Sequence, residues 1–188
     1  MKPALFILAG GKSSRFGSDK ARALHRGRPL IVGVAEDLAS VTVGPTVVAA
    51  ADGSYQNLGL ETIGDTVPGR GPLGGLATAL SFMPQRHAGM EWVLLVACDL
   101  VGVEAAWVEA LTVRTDGALA VAFRSGMGWE PLFALYHRSL GAIVDRRLEG
   151  EDRSLRGLLD EVGAVAVASP PGLRQITTPD DLQQLRGS

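Results

Sequence analysis

The stretch PALFILAGGKSSRFGSDK, residues 3–20, joins an apolar run to a loop rich in glycine and basic residues. An uncharged run that ends in glycine is typical of a strand buried on both faces of a parallel sheet. The loop contains Gly11-Lys12-Ser13, which is the ending of a P-loop, but that motif requires a glycine at position 6, where the chain has Phe6. The sequence therefore predicts a buried strand followed by a glycine-rich turn that is not a P-loop.

Beyond this stretch, apolar strand-like runs alternate with helical patterns. The predicted strands are TVVAAA (46–51), LETI (60–63), WVLLVACD (92–99), ALAVAF (118–123), PLFALYH (131–137) and 164–168; the predicted helices are 29–41, 72–83, 107–114, 139–149, 154–162 and a last one after Pro179. This alternation predicts an α/β fold, a three-layer αβα sandwich with a mostly parallel, Rossmann-like sheet. Because such sheets bind ligands beyond the carboxyl ends of their strands, we expect the residues that follow Leu8, Ala51, Ile63 and Cys98 to face one another.

The composition of the chain excludes several classes of protein. A chain of 188 residues with 46% hydrophobic and 20% charged residues predicts one folded domain, residues 1–188. The net charge of −2 argues against binding to nucleic acid or to acidic membranes, and the apolar run at the start is too short to span a membrane. A single cysteine, Cys98, without a Cys/His cluster favours a reducing cytoplasm and argues against a zinc site.

Positive charge is concentrated at the start of the chain. Residues 1–28 carry seven lysines and arginines against one acid, Asp19, which suits a small polyanionic ligand; a solvated basic surface is the alternative. Gly10 and Gly11 let the main chain approach a ligand closely, and their N–H groups can bind phosphate oxygens. The alternative is a glycine-rich turn with exposed basic side chains.

Asp99 follows the most apolar strand of the chain. A carboxylate there is costly to bury unless a cation or hydrogen-bond donors lie nearby, and a carboxylate oxygen is a natural Mg²⁺ ligand. The alternative is that Asp99 caps the next helix. Its neighbour Cys98 is interpreted as a small buried residue, not as a nucleophile.

One glycine pattern matches a dinucleotide-binding motif but lacks the structural context of that motif. Gly69, Gly71 and Gly74 fit the G-x-G-x-x-G fingerprint of dinucleotide-binding proteins. No strong strand precedes the pattern, however, and Pro72 removes an N–H that would be needed for pyrophosphate. We interpret the segment as a loop that enters a helix with Pro72 in its first turn.

Several blocks together resemble one family. They are LAGGKSSRFGSDKA (8–21), GRPLI (27–31), GDTVPGRGPLGGLATAL (64–80), VLLVACDL (93–100), WEPLFALYH (129–137) and TTPDDL (177–182). In order and spacing they are similar to the blocks of nucleotidyltransferases of the MobA type, the molybdenum cofactor guanylyltransferases. The resemblance implies the nucleotide-diphospho-sugar transferase type of fold and transfer of GMP from GTP to the phosphate of molybdopterin with release of pyrophosphate. It also implies transient contacts with other cofactor-biosynthesis proteins.

The resemblance also assigns roles to residues. It implies that nucleotide binds the backbone of Leu8, Ala9, Gly10 and Gly11, that Arg15 and Lys20 face its phosphates, that Asp99 binds Mg²⁺, and that Asp65 hydrogen-bonds guanine. Arg15, Lys20 and Asp99 are then the expected catalytic residues. A carboxylate can accept from both N1–H and N2–H of guanine, although Asp65 is also suited to starting a turn. Trp129 is expected either to cover the pterin ring or to pack in the core.

The chain departs from the family at three places. Val101 stands where a proline is usual, Ala49, Ala50 and Ala51 stand where an asparagine that reads guanine is expected, and residues 175–179 read QITTP where the family has N-x-N-T-P. A hydroxyl at Thr177 can still bind a metal-bound water, but the carboxamide is missing. Two alternatives therefore stay open: a CTP-dependent or sugar-phosphate nucleotidylyltransferase of the same fold, and a catalytically weakened GTP-binding protein. Gly10 favours the guanine-using group, because CTP-using relatives tend to carry alanine there.

Overall fold

A computed structural model describes residues 1–10 and 19–184 of the chain. The strands are β1 (Ala4–Ala9), β2 (Leu24–His25), β3 (Arg28–Pro29), β4 (Val43–Ala49), β5 (Glu61–Gly64), β6 (Trp92–Ala97), β7 (Leu100–Val101), β8 (Ala120–Ser125), β9 (Gly128–His137), β10 (Val165–Ala168) and β11 (Arg174–Gln175). The α-helices are α1 (Leu30–Leu38), α2 (Gly71–Arg86), α3 (Ala105–Thr112), α4 (Gly141–Glu149), α5 (Leu155–Glu161) and α6 (Pro179–Gln184). Short 3-10 turns cover Lys20–Arg22, Gln56–Leu58 and Arg138–Leu140.

A seven-stranded sheet organises the fold, with the order β10-β8-β9-β6-β1-β4-β5. Strands β5, β4, β1 and β6 pair in parallel, β9 pairs antiparallel with both β6 and β8, and β8 pairs in parallel with β10. The predicted α/β fold with a mostly parallel sheet is therefore confirmed, and β9 is the antiparallel member of this sheet.

Two apolar cores fill the spaces between this sheet and the helices on its two faces. Successive side chains of a strand point to opposite faces, so Leu5 and Ile7 enter the core shared with α1 and α3, whereas Ala4 and Phe6 enter the core shared with α2, α4 and α5. β6 is buried along its whole length. An apolar run without alternation, which was the basis for predicting β1 and β6, is what burial on both faces requires.

Small pairings that the pattern did not predict fold around the main sheet. β2 and β3 form a hairpin before α1, and β7 pairs antiparallel with β11. Pro72 lies in the first turn of α2, as predicted. Among the helices of residues 1–10 and 19–184, none is long and apolar enough to cross a membrane.

A register shift interrupts the β8–β9 ladder. Ala122 pairs with Ala134, but the next residue of β8, Phe123, pairs with Glu130. One step along β8 thus corresponds to four along β9, which leaves residues 131–133 without a partner on β8. Pro131 has no N–H to donate to a ladder, which explains why the irregularity lies here.

Candidate active site

The carboxyl ends of four parallel strands meet at one edge of the sheet. The register places Ala97 of β6 beside Leu8 of β1, and Ala9 beside Ala49 of β4, which in turn pairs with Gly64 of β5. The chain continues this alignment after the strands end, since Cys98 N donates to Leu8 O at 3.1 Å and Asp65 N donates to Ala49 O at 2.7 Å. The segments that follow these strands lie at one edge, as the alternating pattern predicted.

Asp99 is the buried acid at this edge. It is 5% exposed, and its Oδ2 forms an ion pair with Nζ of Lys20, whose side chain is 18% exposed. Gln175 Nε2 donates to both Asp99 oxygens at 3.1 Å. A buried carboxylate is stable only with such partners, so the sequence expectation of a nearby cation at Asp99 is met by Lys20.

Backbone hydrogen bonds also hold the segment around Gln175 against Asp99. Ile176 N donates to Asp99 O at 2.9 Å, and the β7–β11 pairing continues the contact. Asp99 leads into β7 and does not cap a helix, because α3 begins at Ala105 with Glu104 at its N-cap position. The helix-cap alternative is therefore wrong.

A carboxamide does contact Asp99, but it belongs to Gln175 and not to residue 177. Thr177, which stands in the place of an asparagine, donates its hydroxyl to Asp181 Oδ2 at 2.8 Å, and the backbone N–H groups of Thr177 and Thr178 bind the same oxygen at 2.7 Å. These bonds lower the pKa of Asp181 to about 2. The amide at Asp99 belongs to Gln175, a residue to which the sequence reasoning gave no role.

A second acid fixes the segment that carries Lys20. Asp19 Oδ1 accepts from Ala21 N at 3.0 Å, which caps the Lys20–Arg22 turn. The hydroxyl of buried Tyr55 donates to the Asp19 carboxylate at 3.0 and 3.1 Å, and Arg22 pairs with it at 3.3 Å. Burial and the bond to Asp19 raise the pKa of Tyr55, so its hydroxyl stays protonated and can donate.

Asp65 uses one of its two carboxylate oxygens in hydrogen bonds to its own loop and to α2. Its Oδ1 accepts from Val67 N and from the hydroxyl of buried Thr78 on α2, both at 3.0 Å. Thr78 Oγ1 also accepts from Thr66 N at 3.0 Å. Within the described part of the chain, Asp65 Oδ2 has no hydrogen bond. Asp65 does start a turn, and it also presents an oxygen at the carboxyl edge.

The glycines that follow Asp65 serve backbone geometry and helix packing. Gly69 and Gly71 have φ of 78° and 62°, in the left-handed region that favours glycine. Gly75 on α2 packs against β1, since a Cβ there would lie 2.7 Å from Leu8 Cδ2. Gly75 therefore lets α2 pack closely against the end of β1, while Gly74 leaves room for the backbone of Val67.

Two further residues are structural. Trp129 is 5% exposed, its Nε1 donates to Asp160 Oδ1 at 2.7 Å, and Arg124 lies 4.7 Å over its ring. It packs in the core, as one of its two sequence interpretations predicted. Burial raises the pKa of the Cys98 thiol to about 12, so it is not a thiolate nucleophile at neutral pH.

The predicted site residues are thus placed as follows. Leu8, Ala9 and Gly10 lie at the end of β1, and Lys20 and Asp99 are joined at the end of β6. Asp65 lies at the end of β5. Gly11 and Arg15 lie outside the described residues.

Comparison of the sequence with known proteins shows the family to which the chain belongs. A family model described as "MobA-like NTP transferase domain" matches residues 5–166. The chain belongs to this family. A probable molybdenum cofactor guanylyltransferase of Deinococcus radiodurans is 38% identical over 185 residues, 96% of this chain and 92% of that protein. The molybdenum cofactor guanylyltransferase of Rhizobium meliloti is 30% identical over 196 residues, 97% and 89% of the two chains.

Solved structures confirm the fold of the MobA-like family. Molybdopterin-guanine dinucleotide biosynthesis protein A of Archaeoglobus fulgidus superposes with a TM-score of 0.80 at 22% identity, covering 98% of this chain and 97% of that one. The 2-C-methyl-D-erythritol 4-phosphate cytidylyltransferase of Thermus thermophilus superposes with a TM-score of 0.70 at 15% identity, covering 100% and 98%. The MobA-like chain is accordingly a nucleotidyltransferase built on the fold predicted from its sequence.

Proposed function

We propose that the chain transfers GMP from GTP to the phosphate of molybdopterin, forming the guanine dinucleotide and releasing pyrophosphate. The observation that carries the proposal is the buried Asp99, held by Lys20 and Gln175 at the edge where β1, β4, β5 and β6 end. The names of the relatives from Deinococcus radiodurans and Rhizobium meliloti support the choice of substrates.

The chemistry suits this set of residues. A phosphate nucleophile is already an anion and needs little help from a general base. The difficulty is to hold two anionic groups in line while negative charge builds on the leaving pyrophosphate. In our proposal, Lys20 supplies fixed positive charge at that point, and Gly10 offers its backbone N–H to phosphate without a side chain in the way.

The residues at Asp99 fit a magnesium ion that arrives with the nucleotide. In the described part of the chain, no group of three or more His, Cys, Asp or Glu side chains could hold a metal by itself. Mg²⁺ commonly binds through one or two carboxylates, with waters and substrate phosphates completing its shell, and Asp99 offers one such carboxylate. When bound, the ion would neutralise charge on the phosphates, and Lys20, whose Nζ lies at Asp99, would add a second positive charge there.

In our proposal, Asp65 receives the base. β5 and β6 are separated by β1 and β4 in the sheet, and three strand spacings of 4.7–4.9 Å put the two strand ends about 14 Å apart. A nucleotide whose α-phosphate lies at Asp99 can extend its base along this edge. We propose that Oδ2 of Asp65, which has no hydrogen bond within the described residues, then accepts from guanine.

One observation favours a second candidate, a cytidylyltransferase. Ala49, at the end of β4, offers no carboxamide for guanine, and the Thermus thermophilus cytidylyltransferase shares the fold. A nucleotide-binding protein with weakened catalysis remains a third outcome of the test below. We further propose that residues 1–188 form one domain, that the chain acts in the cytoplasm, and that it contacts other cofactor-biosynthesis proteins transiently.

Two measurements test the proposal. Thermal unfolding is recorded with Mg²⁺ and GTP, CTP, UTP, ATP or NAD; a ligand at 100 times its Kd stabilises by about 2.7 kcal/mol, or about 5–10 °C for a chain of this size. We expect the largest shift with GTP, and pyrophosphate release only when molybdopterin is added. A larger shift with CTP would support the cytidylyltransferase, and GTP binding without pyrophosphate release would support the weakened protein.

A further inference from the structure

The register shift in β9 opens a cavity beside Asp99. Its volume is about 210 Å³, and its lining consists of Leu100, Glu130, Pro131, Leu132, Phe133, Arg156, Leu173 and Gln175. The residues without a partner on β8, 131–133, are part of this wall. Bulges of this kind frequently redirect side chains next to active sites, and here the hydroxyl of buried Tyr136 fixes the bulge by donating to Pro131 O at 2.9 Å.

The cavity borders the acid that the proposed function places at the centre of transfer. Leu100 follows Asp99 directly, and Gln175 both lines the cavity and donates to the Asp99 carboxylate. In the sheet, β9 lies on one side of β6, whereas β1, β4 and β5 lie on the other. A group held in the cavity would therefore approach Asp99 from the side of β6 opposite to β1, β4 and β5. In an in-line displacement its phosphate would attack the α-phosphate opposite the leaving pyrophosphate.

Two charged side chains lie in the wall, those of partly buried Glu130 and exposed Arg156. Glu130 is partly buried, yet its carboxylate has no hydrogen bond or ion pair among residues 1–10 and 19–184. Arg156 donates Nε to Trp129 O at 3.1 Å, and this is the one hydrogen bond of its guanidinium within those same residues. The Glu130 carboxylate is therefore available to a ligand that brings hydrogen-bond donors.

We propose that this cavity binds the acceptor and that Glu130 recognises the 2-amino-4-oxopyrimidine edge of its pterin. That edge presents two adjacent donors, N2–H and N3–H, which a carboxylate can accept together, and Arg156 supplies donors for the neighbouring oxo group. The volume is below the 300–1,000 Å³ of pockets that enclose whole ligands, so it holds the ring system and leaves the acceptor phosphate outside, toward Asp99. This inference rests on the proposed function and adds the residue that selects the acceptor.

Pterin fluorescence tests the inference by direct binding. Free pterin, which carries the 2-amino group, is titrated into the protein with GTP and Mg²⁺ present, and lumazine, which has an oxo group there, is titrated in parallel. We expect Glu130→Gln to weaken pterin binding about tenfold, equivalent to about 1.4 kcal/mol, and to remove the preference for pterin over lumazine. Glu149→Gln, at an exposed glutamate outside the cavity, is the matched control and should bind both as the wild type does.

Turnover provides the second measurement. Glu130→Gln should raise the KM for molybdopterin and leave the KM for GTP unchanged, a split that general destabilisation would not produce. Wild-type-like pterin binding by Glu130→Gln, or no pterin binding by the wild type, would overturn the inference. Either result leaves the proposed function standing if the wild type still releases pyrophosphate with GTP and molybdopterin, so the two failures are distinguishable.

Discussion

Removing the hydroxyl of Tyr55 tests whether its hydrogen bond to Asp19 helps to position Lys20. Tyr55→Phe removes the donor to Asp19 and keeps the buried ring. A hydrogen bond to a charged group contributes about 1.5–3 kcal/mol. Because the side chain of Asp19 is 42% exposed, water replaces part of the bond, so we take the lower value, about 1.5 kcal/mol, which lowers the Tm by about 3–6 °C.

The functional effect of this variant separates it from ordinary destabilisation. Asp19 precedes Lys20 and caps its turn, so loosening Asp19 should weaken GTP binding about fivefold, or about 1 kcal/mol. Tyr136→Phe is the matched control, since Tyr136 is also a buried tyrosine but its hydroxyl donates to Pro131 O, on the far side of β6 from the proposed nucleotide position. GTP titration by calorimetry should show a loss for Tyr55→Phe and none for Tyr136→Phe. Equal GTP affinity in the two variants would refute the role of Tyr55.

Two predictions concern stability alone. Burial lowers the pKa of His87 below its ordinary 6.5. As the pH drops below about 6.5 the unfolded state therefore binds the proton before the folded state does, and the free energy of unfolding should fall. In urea titrations from pH 8 to 5, His87→Gln should show a smaller fall in the free energy of unfolding than the wild type, and an equal fall would contradict the assignment. A Cβ on Gly157 would collide with the ion pair of Arg147 and Asp152. Gly157→Ala should therefore lower the urea midpoint despite the better helix propensity of alanine, whereas Gly141→Ala, with open space around it, should not; equal midpoints would show that the pair moves aside freely.

Much of the fold follows from short-range patterns. Apolar runs predicted β1 and β6 because both are buried on two faces, and the alternation of strands and helices predicted the parallel pairing that gathers their carboxyl ends. The position of β9 did not follow from its sequence, because antiparallel insertion between β6 and β8 depends on the packing of distant elements. Its bulge had a local signal in Pro131, but the pairing partner that reveals the shift is set by the tertiary fold.

Single site residues could be predicted from the sequence, but contacts between residues from distant segments could not. Asp99 was predicted as a site residue from its place after an apolar strand, and Lys20 from the resemblance to nucleotidyltransferases of the MobA type. Their ion pair joins residues 79 positions apart, and Gln175 reaches Asp99 from 76 positions away. The motif pattern directed attention to Thr177, whereas the amide at Asp99 comes from Gln175, because position in a motif does not determine which side chain reaches across the fold.

The turnover of an Asp99 variant tests the central claim most directly. Pyrophosphate release from GTP and molybdopterin is measured for the wild type, for Asp99→Asn, and for Asp116→Asn at an exposed turn as control. We predict that Asp99→Asn lowers kcat by about 100-fold or more, the size of effect seen when a transition-state contact is lost, while Asp116→Asn turns over like the wild type. Similar rates for all three proteins would contradict the claim that transfer takes place at Asp99.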